Sequence, residues 1–319
     1  MIIGALVRWL ILALAIPAAG LLAAPPLSAD PAPRPQEQRA DSDDRIVRTL
    51  RVNDGDVLEL HNIAGDITIT GTEGNKLHID ARKNGRRGAA IDVEIVQRAA
   101  RVEVRTRARR GNGSRGEVDY TLRVPASMVL DVHTVSGDVE ATNVHGRATL
   151  RAVSGDIVAS GLTQLDAAET LSGDVRISST TATGNANIKT TSGSVTLGDI
   201  KAGGLKVTSV SGDVRLGEVS TTRLEVTSLS GDVEFSGPLS PTGRYTINSH
   251  SGDVRFQPSD QTGFELTAGS FSGSVRSDLP VTMQNLAGGR GRRNVQGVVG
   301  DGAASVDLTT FSGDITILK

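Results

Sequence analysis

The sequence predicts an all-β fold, a single-stranded β-solenoid of about 20 residues per coil, and three observations predict it. First, Ser-Gly-Asp-Val or a close variant begins at Ser136, Ser154, Ser172, Ser192, Ser211, Ser230, Ser251, Ser272 and Ser312. The spacings are 18, 18, 20, 19, 19, 21, 21 and 40 residues, the last being two periods. Second, apolar residues alternate on both sides of each corner: Leu224 and Val226, then Val233 and Phe235; Tyr245 and Ile247, then Val254 and Phe256; Val306 and Leu308, then Ile315 and Ile317. That is the strand period, and helical spacings of three and four do not recur. Third, a small hydroxyl residue stands two positions before most corners, as at Thr134, Thr170, Ser209, Ser228 and Thr310, so stacked coils should carry a Ser/Thr ladder. Glycine at the corner permits a backbone conformation closed to other residues, and Ser and Asp bond nearby N–H groups.

Composition agrees. At 38% hydrophobic and 22% charged the 319 residues are globular, and 37 glycines suit a chain full of corners. A net charge of −2 singles out no nucleic-acid partner. The absence of cysteine excludes disulfides, thiolate catalysis and cysteine-linked lipid anchors.

Residues 1–29 read as an export signal, with Arg8 ahead of an apolar run from Trp9 to Ala24 and cleavage placed after Ala29. The alternative is an uncleaved membrane anchor, and either puts the repeats outside the cytoplasm, in the periplasm or at the cell surface. Residues 30–45 carry three prolines in 30–36 and few apolar side chains, a flexible tether.

The solenoid is expected over 46–319, beginning with Ala64-Gly65-Asp66, a corner that has lost its serine. Residues 84–117 are expected to interrupt it, with one strand at Ile91, Val93 and Ile95 and another at Val102 and Val104. Between Lys76 and Arg123 thirteen Lys/Arg face six Asp/Glu, a local charge of +7. Arg86, Arg87, Arg105, Arg107, Arg109 and Arg110 either discourage edge-to-edge aggregation or form a patch for an anionic partner such as phosphorylated glycan or lipid headgroups. Pro125 marks a bend before the first full corner.

The Val-Pro-Ala bend at 124–126, the Thr-Val-Ser-Gly-Asp-Val corner at 134–139 and the repeats that follow resemble the bacterial "putative adhesin" family of unknown function, over about residues 46–319. The resemblance implies a right-handed β-helix-like solenoid on exported or membrane-tethered proteins, a role in surface attachment or envelope stress, and no catalytic residues or cofactor. Ser194 and Ser274 depart from it at the corner aspartate, and Thr191 and His250 at the usually apolar position before the corner.

Residues 285–303 fill the long interval as a hairpin loop, with a basic tip at Arg290, Arg292 and Arg293 and a returning strand at Val295–Val299. The chain stops just after Ile315-Thr316-Ile317-Leu318, so the last coil is expected to form an open end, covered by that loop or by a second copy.

Catalytic signatures are missing. The five histidines show no metal-binding spacing, and the serines are corner residues without a nucleophile elbow. The strongest chemical feature is the column Asp138, Asp156, Asp174, Asp213, Asp232 and Asp253. At the 4.8 Å strand spacing each adjacent pair would repel by about 0.9 kcal/mol in water, so either corner N–H groups or bridging calcium ions should offset the charge. The favoured function is a non-enzymatic envelope or surface scaffold. The alternative, a polysaccharide lyase or hydrolase, needs a walled cleft and sugar-stacking rings, and the only tryptophan, Trp9, lies in the export segment.

Overall fold

Period-two alternation sends one set of side chains inward and the other outward, and each coil does this twice, once before its Ser-Gly corner and once after. The computed structural model describes residues 40–42, 44–85, 91–108, 116–283 and 293–319. Among these there is no helix. The expected export segment and most of the tether lie outside the described residues, although Ala40–Ser42 and Arg45–Arg51 already pair as antiparallel strands.

Coils stack parallel and in register. Val195 lies beside Val214, Val214 beside Val233 and Val233 beside Val254, while Leu205, Leu224 and Tyr245 align on the opposite wall. Both walls send these residues into one continuous core, where Leu224, Val226, Val233 and Phe235 are all buried. Toward the C-terminal half the filling becomes aromatic: Phe235 stacks on Phe256 at 4.9 Å, flanked by Tyr245 and Phe264. The Tyr245 hydroxyl donates to the Thr221 carbonyl at 2.8 Å, so its polar end is satisfied inside the core. In the middle coils one strand runs through the return, as in Val195–Ser211 and Val214–Ser230. The turn-back falls on a left-handed residue, Asp199 or Glu218, with φ of 52° and 53°.

The corner needs glycine for a second reason beyond its positive φ. A Cβ on Gly231, whose φ is 124°, would stand 2.3 Å from the Gly212 carbonyl oxygen, and one on Gly155 2.1 Å from that of Gly137. Corners therefore stack backbone against backbone. The predicted hydroxyl column is buried beside them: Thr170, Thr190 and Ser270 donate to the carbonyls of Gly155, Gly173 and Gly313 at 2.9–3.2 Å.

Both ends are threaded out of sequence order. Within the expected interruption at 84–117, Arg101–Ala108 joins the stack, pairing parallel with Val57–Ala64, and the strand that follows, Glu117–Pro125, pairs parallel with Ile67–Thr72. The next coil in sequence, Val129–Ser136, lies on the other side of Val57–Ala64. This outer coil has no Ser-Gly corner among its described residues. In its place Asn62 donates to the Val118 carbonyl, and the Thr106 hydroxyl bonds both Asn62 and the Tyr120 phenol.

At the other end, Ala304–Ser312 inserts between Leu239–Ser251 and Phe264–Ser272. Ile315–Ile317 likewise lies between Val254–Pro258 and Val275–Ser277. The expectation that the last coil forms the open end is thus overturned: its backbone is hydrogen-bonded on both sides, which removes the edge from which self-association through it was expected. The outermost coil is the one at Ser272. Arg293–Val299 covers it as an antiparallel strand, much as Ile91–Arg98 and Lys76–Asn84 cover the first end. A parallel stack is closed by antiparallel strands because a hairpin turns straight back, whereas another parallel rung would need another full coil.

Candidate interaction surface

The corner aspartates form a ladder whose bonds run between coils. Asp138, Asp156 and Asp174 each accept, through Oδ1, the backbone N–H of the next corner, at Asp156, Asp174 and Ser194, all at 2.8 Å. Asp232 and Asp253 do the same for Asp253 and Asp314 at 2.9 Å, and Asp213 for Asp232 at 3.1 Å. Oδ2 turns outward to arginine: Arg176 spans Asp156 and Asp174 at 2.7 and 2.5 Å, Arg215 meets Asp213, and Arg255 lies within 3.5–3.9 Å of Asp232 and Asp253. The Asp174 N–H, then Arg176, hold the Asp156 carboxyl below the usual range against the opposing effect of burial. Hydrogen bonds and arginines thus supply the offset that the stacked charges require. Among the described residues no three acidic or imidazole side chains converge as a metal site would require.

The predicted basic patch divides. Arg86, Arg87, Arg109, Arg110, Arg290 and Arg292 lie outside the described residues, and Arg293 begins the covering strand Arg293–Val299. Where side chains are described, the arginines are paired: Arg101 with Glu59 at 2.7 Å, Arg105 with Glu59 and Glu103 at 3.3 and 3.5 Å, and Arg107 with Glu94 at 2.9 Å. His61 and Arg101 hold the Glu59 carboxyl below its ordinary value, the His61 hydrogen bond contributing most. These pairs link the first coils and give Arg105 and Arg107, the two members of the expected patch whose side chains are described, acidic partners.

A different feature dominates the outer face. The residue immediately before each corner serine points away from the core, and these positions align along the stack. Ile63, Val135, Val153 and Leu171 lead, and Val210 and Leu229 follow after Thr191. Then come His250, Phe311 and Phe271, in that spatial order, with rings stacked at 5.0 and 4.7 Å. The eight apolar members are 38–56% exposed. Along the first half of this ridge runs a groove of about 570 Å³, lined by the stacked rings of His61 and His133 and by Arg151, Glu169 and Lys189. Parity contained the signal: if Ser228 faces inward, Leu229 must face out. An apolar residue there at nearly every period is a recurring exposed group rather than core.

A family model described as Toastrack DUF4097 matches residues 58–318. No curated protein matches the sequence. Among solved structures, the chain is similar to one titled "putative adhesin" from Parabacteroides distasonis, at 10% identity over 86% of this chain and 96% of that one, with a TM-score of 0.49. It is also similar to a "putative adhesin" from Bacteroides fragilis at 14% identity, 86% and 98% coverage and a TM-score of 0.44. A "putative lipid binding protein" from Parabacteroides distasonis matches at 11%, 86% and 97%, and 0.48.

Proposed function

The chain belongs to the Toastrack DUF4097 family, and from that premise we propose that it is a non-enzymatic, exported envelope or cell-surface protein that uses its outer face for attachment or scaffolding. The observation carrying this reading is the apolar ridge, an exposed feature repeated coil after coil along the stack. A right-handed wind of about 20 residues per coil belongs to the proposal, because consecutive parallel strands in one sheet almost always connect with that hand. Export is supported by the apolar run behind Arg8.

The test has two arms. Protease treatment of intact cells and of spheroplasts should digest a tagged full-length chain in at least one of them, and recovery only inside the cytoplasm would overturn the reading. The purified protein should release no reducing or unsaturated ends from pectin, alginate or peptidoglycan. Turnover that Asp156→Asn or Glu169→Gln abolishes would make it an enzyme.

A further inference from the structure

We propose that the ridge before the corner serines is a self-association surface, on which a second copy of this chain packs antiparallel. Its eight exposed apolar side chains present roughly 700 Å² per copy, above the few hundred Å² usual for a monomer's patch and close to the ~800 Å² each partner gives a stable interface.

Pitch identifies the occupant. Rungs repeat at about 4.8 Å, so ten positions extend roughly 43 Å, and a partner with any other repeat falls out of step within a few rungs. A second copy has the same repeat by construction, and a two-fold contact uses one patch twice.

The pairing of side chains sets the direction. Two residues before each ridge position stand His61, His133, Arg151, Glu169 and Lys189 along the first half, but Thr208, Thr227, Asn248, Thr309 and Gly269 along the second. A parallel pair, with its two-fold along the stack, would set every ridge residue against itself, Thr191 on Thr191 and His250 on His250, and would carry the two flanking columns to opposite sides of the contact. An antiparallel pair sets the charged half of each copy against the neutral half of the other. A two-fold axis between Thr191 and Val210 then places Leu171 opposite Leu229 and the large Phe311 opposite the smaller Val135, and never brings the two polar interruptions, Thr191 and His250, together.

The cysteine-free chain makes the test direct. Full-length Leu171→Cys and Leu229→Cys, differently tagged and co-expressed, should give a heterodimeric disulfide under mild oxidation, roughly tenfold above the dimer either variant forms alone, because bridging needs Cα atoms within about 7 Å. Homodimer from Leu171→Cys in place of heterodimer would overturn the antiparallel arrangement, and no cross-link in any combination would remove the interface. Separately, light scattering should show the wild-type dimer mass lost in the Leu171→Asp/Leu229→Asp double variant. Circular dichroism of that variant should show an intact strand spectrum, since both side chains are exposed. A dimer mass that survives the double substitution would place the contact elsewhere and overturn the proposal.

Discussion

The Asp156 carboxylate accepts the backbone N–H of Asp174 at 2.8 Å across the gap between two coils, while Arg176 grips its other oxygen at 2.7 Å. A side chain that looks like part of a local corner motif is thus a bond between neighbours. Its carboxyl is held below the ordinary aspartate value, as is that of Asp80 beside Arg45, and the Glu59 carboxyl lies below the ordinary glutamate value. A depressed carboxylate stabilises the fold above its unfolded value, and the contribution disappears as pH falls through the lower folded value. Melting midpoints should therefore be level from about pH 7 to about pH 5 and fall progressively below about pH 4. A midpoint that is unchanged at about pH 2.5 would show that the charges of these three carboxylates carry no stability.

The ladder also predicts an asymmetry between two substitutions at one site. Asp232 Oδ1 accepts the Asp253 N–H at 2.9 Å. Asn keeps an acceptor there and Ala does not, so Asp232→Ala should cost about 1–2 kcal/mol in denaturant unfolding and Asp232→Asn clearly less. Equal losses would mean that the charge, not the hydrogen bond, is what matters.

Ser194 interrupts the column, and no carboxylate of that rung reaches toward Asp213. Ser194→Asp should supply the missing acceptor and raise stability by up to about 1 kcal/mol, partly offset by added repulsion from Asp174 and Asp213. A destabilised variant would reveal that repulsion outweighs the bond.

Corner glycines should be intolerant, and Gly198, which has open space around it, tolerant. Gly231→Ala forces a Cβ at φ 124° to 2.3 Å from the Gly212 carbonyl oxygen, and should cost about 3 kcal/mol or more. Gly198→Ala meets nothing within 4 Å and should shift stability by less than about 1 kcal/mol. Comparable midpoints for the two would contradict the backbone-on-backbone stacking of the corners.

Removing residues 304–319 should do more than trim an end. It withdraws the coil that joins Leu239–Ser251 to Phe264–Ser272, exposing the buried Phe256 and detaching the Ser272 coil. Hydrogen exchange should lose protection throughout 264–277 as well as at Val254 and Phe256. If 264–277 stays protected, the inserted position of the last coil is wrong.

Much of this protein is determined locally, and that part was legible. The strand period, the inward set such as Val226 and Val233, the corner glycines and the hydroxyl column follow from alternation and from contacts between equivalent residues of like coils. The exposed position of Leu229 follows from the same parity. What the sequence left open is which coils are neighbours at the ends. Ser251, Ser272 and Ser312 open nearly identical corners, so any one can stack on any other, and chain order suggested the wrong arrangement. Only the tertiary structure decides it, by pairing Ala304–Ser312 on both sides and leaving the outer coil to be closed by the antiparallel strand Arg293–Val299. The direction of the aspartate bonds was hidden for the same reason: a corner carboxylate can bond its own turn or the next, and the choice rests on the spacing and register between coils.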